Sequence, residues 1–109
     1  MGSNGMQKIA FTMQLKPGYE AEYKKRHDEI WPELSVLLTK AGIRDYSIFL
    51  DENSGCLFAV HWLAEPNQLE GLPETAIMKK WWAYMGDIME TNADNSPVVK
   101  PLQMVFHMD

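Results

Sequence analysis

The sequence predicts an α+β domain of the ferredoxin-like kind, β-α-β-β-α-β, with one four-stranded antiparallel sheet. Three observations carry this. Apolar and polar residues alternate from Lys8 to Leu15, the period of two expected of a strand. The apolar spacing becomes helical over two stretches, Tyr19 to Ala41 and Glu74 to Met89. Between them, two short apolar runs flank the polar turn Asp51-Glu52-Asn53-Ser54-Gly55, which reads as a hairpin.

In the first strand Ile9, Phe11, Met13 and Leu15 share one face, and Pro17-Gly18 ends it. The helix that follows carries Tyr19, Tyr23, Ile30, Trp31, Leu34, Leu37, Leu38 and Ala41 at helical spacing. Pro32 falls inside this stretch. An interior proline removes a backbone hydrogen bond and costs ~3 kcal/mol, so a kink is expected there, or a restart with Pro32 in a first turn. Gly42 suits a C-terminal cap. The second and third strands are expected over Arg44 to Leu50 and Cys56 to Leu63. Pro66 to Pro73 reads as a loop or short helix, and Thr91 to Pro97 as a polar loop. A last strand is expected over about Leu102 to Met108.

A chain of 109 residues and 12.5 kDa is one domain by size. Met1 to Gly5 are expected to be a vector-derived addition, with Met6 the natural start and a single domain over 6–109. Ten basic residues against 15 acidic give a net charge of −5. No basic stripe exists to neutralise phosphates, so neither nucleic acid nor an anionic membrane surface is an expected partner. No apolar run approaches the ~18 residues needed to span a bilayer. One cysteine, Cys56, allows neither an internal disulfide nor a cysteine-based zinc site, and a reducing, cytosolic setting fits.

The third strand offers Cys56, Phe58, Val60 and Trp62 on one side and Leu57, Ala59 and Leu63 on the other. A sheet apolar on both faces is normally covered on both, and the chain supplies helices for one. The expected second cover is another copy of the chain, packed through the sheet face as a homodimer.

Tyr23 and His27 lie four residues apart, on one face of the first helix, and Ile30, Trp31 and Leu34 continue that face. Two core residues bonded to backbone would explain them. So would a polar pocket between helix and sheet, in which a histidine exchanges a proton near neutrality. Trp81 and Trp82 point about 100° apart on their helix. They read either as a wide apolar stripe or as indole faces covering a sugar ring. Tyr46 is in step with Ile48 and Leu50, either packed in the core or reaching the same pocket. His61 and His107 are expected at a surface or interface, and Cys56 is expected to be structural. No His-Glu-x-x-His, phosphate-cradling glycine loop or Gly-x-Ser-x-Gly elbow occurs, so neither a metal nor a nucleotide cofactor is expected.

Five blocks in order carry a resemblance. They are Tyr23-Lys24-Lys25-Arg26-His27, Ile30-Trp31-Pro32-Glu33-Leu34, Tyr46-Ser47-Ile48-Phe49-Leu50, Trp81-Trp82-Ala83-Tyr84-Met85 and Asp94-Asn95-Ser96-Pro97-Val98. Together they closely resemble the L-rhamnose mutarotase family, over nearly the whole chain from Met6. The resemblance implies a dimeric ferredoxin-like α/β barrel. It implies a cytoplasmic, cofactor-free isomerase that interconverts the α and β anomers of L-rhamnopyranose. His27 falls at the family's proton donor, and Tyr23, Tyr46, Trp81 and Trp82 at its sugar contacts. His61-Trp62 is less like the family. The residues leave the general base open among Tyr23, a carboxylate and a bound water. Two further readings suit the same architecture: a cofactor-free monooxygenase, and a non-enzymatic dimer that binds a small ligand.

Overall fold

Pro32 splits the first helical stretch. In a computed structural model, which describes residues 6–109, α1 (Glu20–Asp28) ends before Pro32 and α2 (Pro32–Ala41) begins on it. Proline is suited to this first helical position, where its missing N–H has no partner to lose. Gly42 closes α2 in the left-handed region at φ 111°, and its N–H bonds back to the Thr39 carbonyl. A side chain at Gly42 would meet the Asn67 Cβ at 2.9 Å.

The strands are β1 (Met6–Gln14), β2 (Ile43–Asp51), β3 (Cys56–Ala64) and β4 (Lys100–Pro101). They pair antiparallel in the order β2-β3-β1-β4, the ferredoxin-like arrangement expected from the sequence. A short 3-10 helix (Leu69–Glu74) follows β3 and leads into α3 (Ala76–Met85). The Thr75 hydroxyl caps α3 by accepting from the Met78 N–H.

Alternation assigns the sheet faces. Met13, Leu57, Ala59, His61 and Leu63 are buried toward the helices. Leu15, Leu34, Tyr23, Trp81, Met85 and Ile88 complete the main core. The other face carries Phe49, paired across the ladder with Phe58, and then Val60 and Trp62. Phe49 remains 64 % exposed and Phe58 42 %, so one chain leaves this face uncovered.

Two expectations are corrected. The second main helix stops at Met85, short of Met89. Ile88 and Met89 are buried as their spacing suggested, but their backbone joins the end of β1. The Lys16 N–H donates to the Ile88 carbonyl and the Glu90 N–H to the Gln14 carbonyl. The last strand is also shorter and earlier than expected. Lys100 and Pro101 pair with Thr12 and Phe11, and Leu102 donates once more to Ala10, after which no ladder continues. Alternation says which face a strand would bury, not that a neighbouring strand exists. Val105, Phe106 and Met108 are 91 %, 77 % and 78 % exposed. The expectation for Met1 to Gly5 lies outside the described residues.

Candidate active site

A cleft of about 1270 Å³ separates the helices from the sheet. Tyr23 and His27 of α1 and Trp81 and Trp82 of α3 line one side, and Phe11, Tyr46 and His61 of the sheet line the other.

Helical spacing stacks Tyr23 on His27, with ring centroids 4.2 Å apart and planes 28° apart. The His27 Nδ1 lies 3.0 Å from the Tyr23 carbonyl oxygen. A carbonyl only accepts, so Nδ1 carries the hydrogen and neutral His27 presents a lone pair at Nε2. The edge of the ring meets Trp81 at 5.4 Å, and Trp81 in turn meets Trp31 at 5.1 Å. Burial lowers the His27 pKa below its ordinary value, against smaller opposing effects of the Tyr23 carbonyl and Asp28.

Arg26, on the same helix, fixes α1 to the end of α3. It pairs with Glu22 and Asp87 at 2.8 and 2.9 Å, donates to the Tyr84 carbonyl, and covers the Tyr84 ring at 4.4 Å.

Tyr46 reaches the cleft through a bulge. Arg44 pairs with Trp62 and Ser47 with Val60, so Asp45 and Tyr46 together oppose His61. Asp45 takes up the irregularity at φ 50°. The Tyr46 ring then lies 5.4 Å from His61 and 6.5 Å from Phe11. Tyr46 stays 39 % exposed, and the partial burial of its phenol raises its pKa above the ordinary value. The Tyr23 phenol is raised further, first by burial and then by Tyr46. Both phenols are therefore protonated donors at neutral pH, and neither is a phenolate base.

With this geometry established, comparison with known proteins is decisive. The family described as L-rhamnose mutarotase matches residues 8–108. The chain belongs to the L-rhamnose mutarotase family. It is 58 % identical to the L-rhamnose mutarotase of Sinorhizobium fredii, over 94 % of this chain and 99 % of that one. The L-rhamnose mutarotase of a Jannaschia species is 57 % identical, with the same coverage. The crystal structure of L-rhamnose mutarotase from Formosa agariphila superposes with a TM-score of 0.88 at 46 % identity, covering 94 % of this chain and 99 % of that one. A putative antibiotic biosynthesis monooxygenase from Caulobacter crescentus shares the fold alone, with a TM-score of 0.63 at 22 % identity. That likeness covers 94 % of this chain and 92 % of that one.

In this mutarotase-family cleft all five residues singled out from the sequence line one cavity. They divide in burial. Trp81 is 7 % exposed and belongs to the core, whereas Trp82 is half-buried. His61 corrects an expectation. It is not a surface or interface residue but is 4 % exposed and faces the cleft. The signal lay in its position, since His61 shares a face with Leu57, Ala59 and Leu63. His107 is on the exposed C-terminal segment, paired with Asp109 at 2.9 Å, and does not line the cleft. Among the described residues no group of three or more His, Cys, Asp or Glu converges to hold a metal ion, and no helix is long and apolar enough to cross a membrane.

The His27 Nε2, the Tyr23 hydroxyl and the indole N–H groups of Trp81 and Trp82 find no hydrogen-bond partner among the described residues. None of these atoms is closed off from solvent, and all four residues line the cleft. Polar atoms left open in a mostly apolar cavity suit a ligand that brings its own hydroxyls and one apolar face.

Proposed function

We propose that this chain is an L-rhamnose mutarotase, interconverting the α and β anomers of L-rhamnopyranose by general acid–base ring opening and closure. The observation that carries the reading is the placement of His27. One ring nitrogen is tied to the Tyr23 carbonyl and the other is open in an aromatic cleft.

The reaction moves two protons. A base takes the proton of the anomeric hydroxyl, and the O1 electrons form the C1=O1 double bond. The C1–O5 bond breaks, and its electron pair goes to the ring oxygen. His27, as the imidazolium, gives O5 its Nε2 proton. C1 turns over in the open aldehyde, and closure reverses both transfers. No redox step occurs, so no cofactor is required. Burial makes the His27 imidazolium a stronger acid than free imidazole. Tyr23 and Tyr46 donate hydrogen bonds that orient the sugar, and Trp81 and Trp82 cover its apolar face and methyl group.

The working unit in this reading is residues 6–109 as a homodimer in the cytoplasm, formed through the uncovered sheet face. Phe49, Phe58, Val60 and Trp62 supply an apolar patch for a second copy.

Saturation transfer between the anomeric proton signals of L-rhamnose, with and without catalytic protein, tests the activity directly. Protein-dependent transfer is expected. If wild type produces none, L-rhamnose is not the substrate.

A further inference from the structure

We propose that His61 is the second proton-transfer group of the site, the base that takes the anomeric proton while His27 protonates the ring oxygen. This rests on the mutarotase reading above and supplies the partner that reading leaves unnamed.

His61 is the only buried polar or charged residue among those described. Its Nδ1 lies 3.0 Å from the Trp62 carbonyl oxygen, which can only accept, so Nδ1 holds the hydrogen. The lone pair of the neutral ring is therefore on Nε2. That atom has no partner among the described residues and is not sealed off, and the residue lines the cleft. An acceptor open in this way is free to take a hydrogen bond from water or from a sugar hydroxyl. The ring is also held in place. Its edge meets Tyr46 at 5.4 Å and 66°, and Phe11 at 6.2 Å and 72°. The bulge that turns Tyr46 inward sits opposite His61, so one backbone irregularity positions both groups.

The other bases fit less well. Both phenols stay protonated. The carboxylates around the cleft lie toward its rim: Asp28, Asp45 and Glu52 are exposed, and Asp28 is paired with Lys24 at 2.8 Å. Half-buried Glu20 accepts from the Gly18 N–H. His61 and His27 instead approach the cleft from the sheet and the helix, each with Nδ1 tied to a carbonyl and Nε2 open.

The protons balance over a turnover. On ring opening the anomeric proton moves from O1 to the His61 Nε2, and the His27 Nε2 proton moves to O5. On closure O5 returns its proton to His27, and His61 returns its proton to O1. The pair ends as it began, one imidazolium and one neutral ring.

The test is anomer exchange by His61→Gln and His61→Val, read as kcat and KM separately, beside the nitrogen resonances of His61 in wild type during an L-rhamnose titration. A fall in kcat of about 10²–10⁴-fold with KM changed only a few-fold is expected. The His61 Nε2 resonance is expected to move on saturation while Nδ1 keeps its hydrogen. Unchanged kcat in a folded variant would overturn the proposal, as would a rise in KM alone, which would make His61 a binding group. If both variants fail to fold, the resonances decide, and an Nε2 signal unmoved by the sugar rejects the role. Wild type without anomer exchange rejects the mutarotase reading itself, and this proposal with it.

Discussion

His27 stacks on Tyr23 at 4.2 Å and ties its Nδ1–H to the carbonyl of the same residue. One helical turn thus fixes the ring's plane, its tautomer and the direction of its free nitrogen. A residue so held acts at one place in the cleft, and its removal is a test of chemistry rather than of packing alone.

His27→Ala is expected to lower kcat for anomer exchange by about 10²–10⁴-fold while the circular dichroism spectrum is kept. Exchange at the wild-type rate in the folded variant would remove His27 from the mechanism.

Burial of His27 also links stability to pH. Its folded pKa lies below the unfolded value of about 6.5, so between the two the unfolded chain binds more protons. Stability is therefore expected to fall as pH drops below about 6.5, and to level off once pH passes the folded value. Melting temperatures across that range should show a smaller slope for His27→Gln than for wild type. Equal slopes would mean that His27 is not held toward its neutral form.

The two indoles should separate in a stability experiment. Trp81 is in the core, so Trp81→Ala is expected to cost about 3–5 kcal/mol and to compromise folding. Trp82 is half-buried, so Trp82→Ala should spare the fold and raise KM. Urea midpoints beside anomer-exchange kinetics check both. A large loss of stability in Trp82→Ala with KM unchanged would make it core.

Arg26→Ala is expected to lose about 2 kcal/mol, since it removes charge-assisted bonds to Glu22 and Asp87 and the cover of Tyr84. Asp87→Ala should cost less, because that carboxylate is 65 % exposed and screened by water. Chemical denaturation of the two variants tests the order.

Phe49→Lys is expected to produce monomers if the sheet face joins two copies, because it places a charge in the most exposed aromatic of that face. Light scattering of wild type and variant gives the answer, and a monomeric wild type would reject the dimer.

The element order and the faces of the first three strands were legible in the sequence because both depend on local periodicity. The break at Pro32 and the cap at Gly42 were legible because proline and glycine restrict or permit backbone angles by themselves. The pairing of Tyr23 with His27 followed from helical spacing. Tyr46 was correctly in step with Ile48 and Leu50, but its approach to His61 needed a bulge opposite β3, which is a relation between two strands.

Local pattern thus determined the α+β order, the helix restart and the shared helix face of Tyr23 and His27. Tertiary structure alone decided three things. It ended the last strand after Pro101, because the ladder stops there despite continued alternation. It drew Ile88 and Met89 away from α3, because the chain there bridges to Leu15, just past the end of β1, through the Lys16–Ile88 and Glu90–Gln14 backbone bonds. It made His61 part of the cleft, because alternation places His61 on the face of Leu57, Ala59 and Leu63, but only the packing of the helices over that face decides that it lines a cavity.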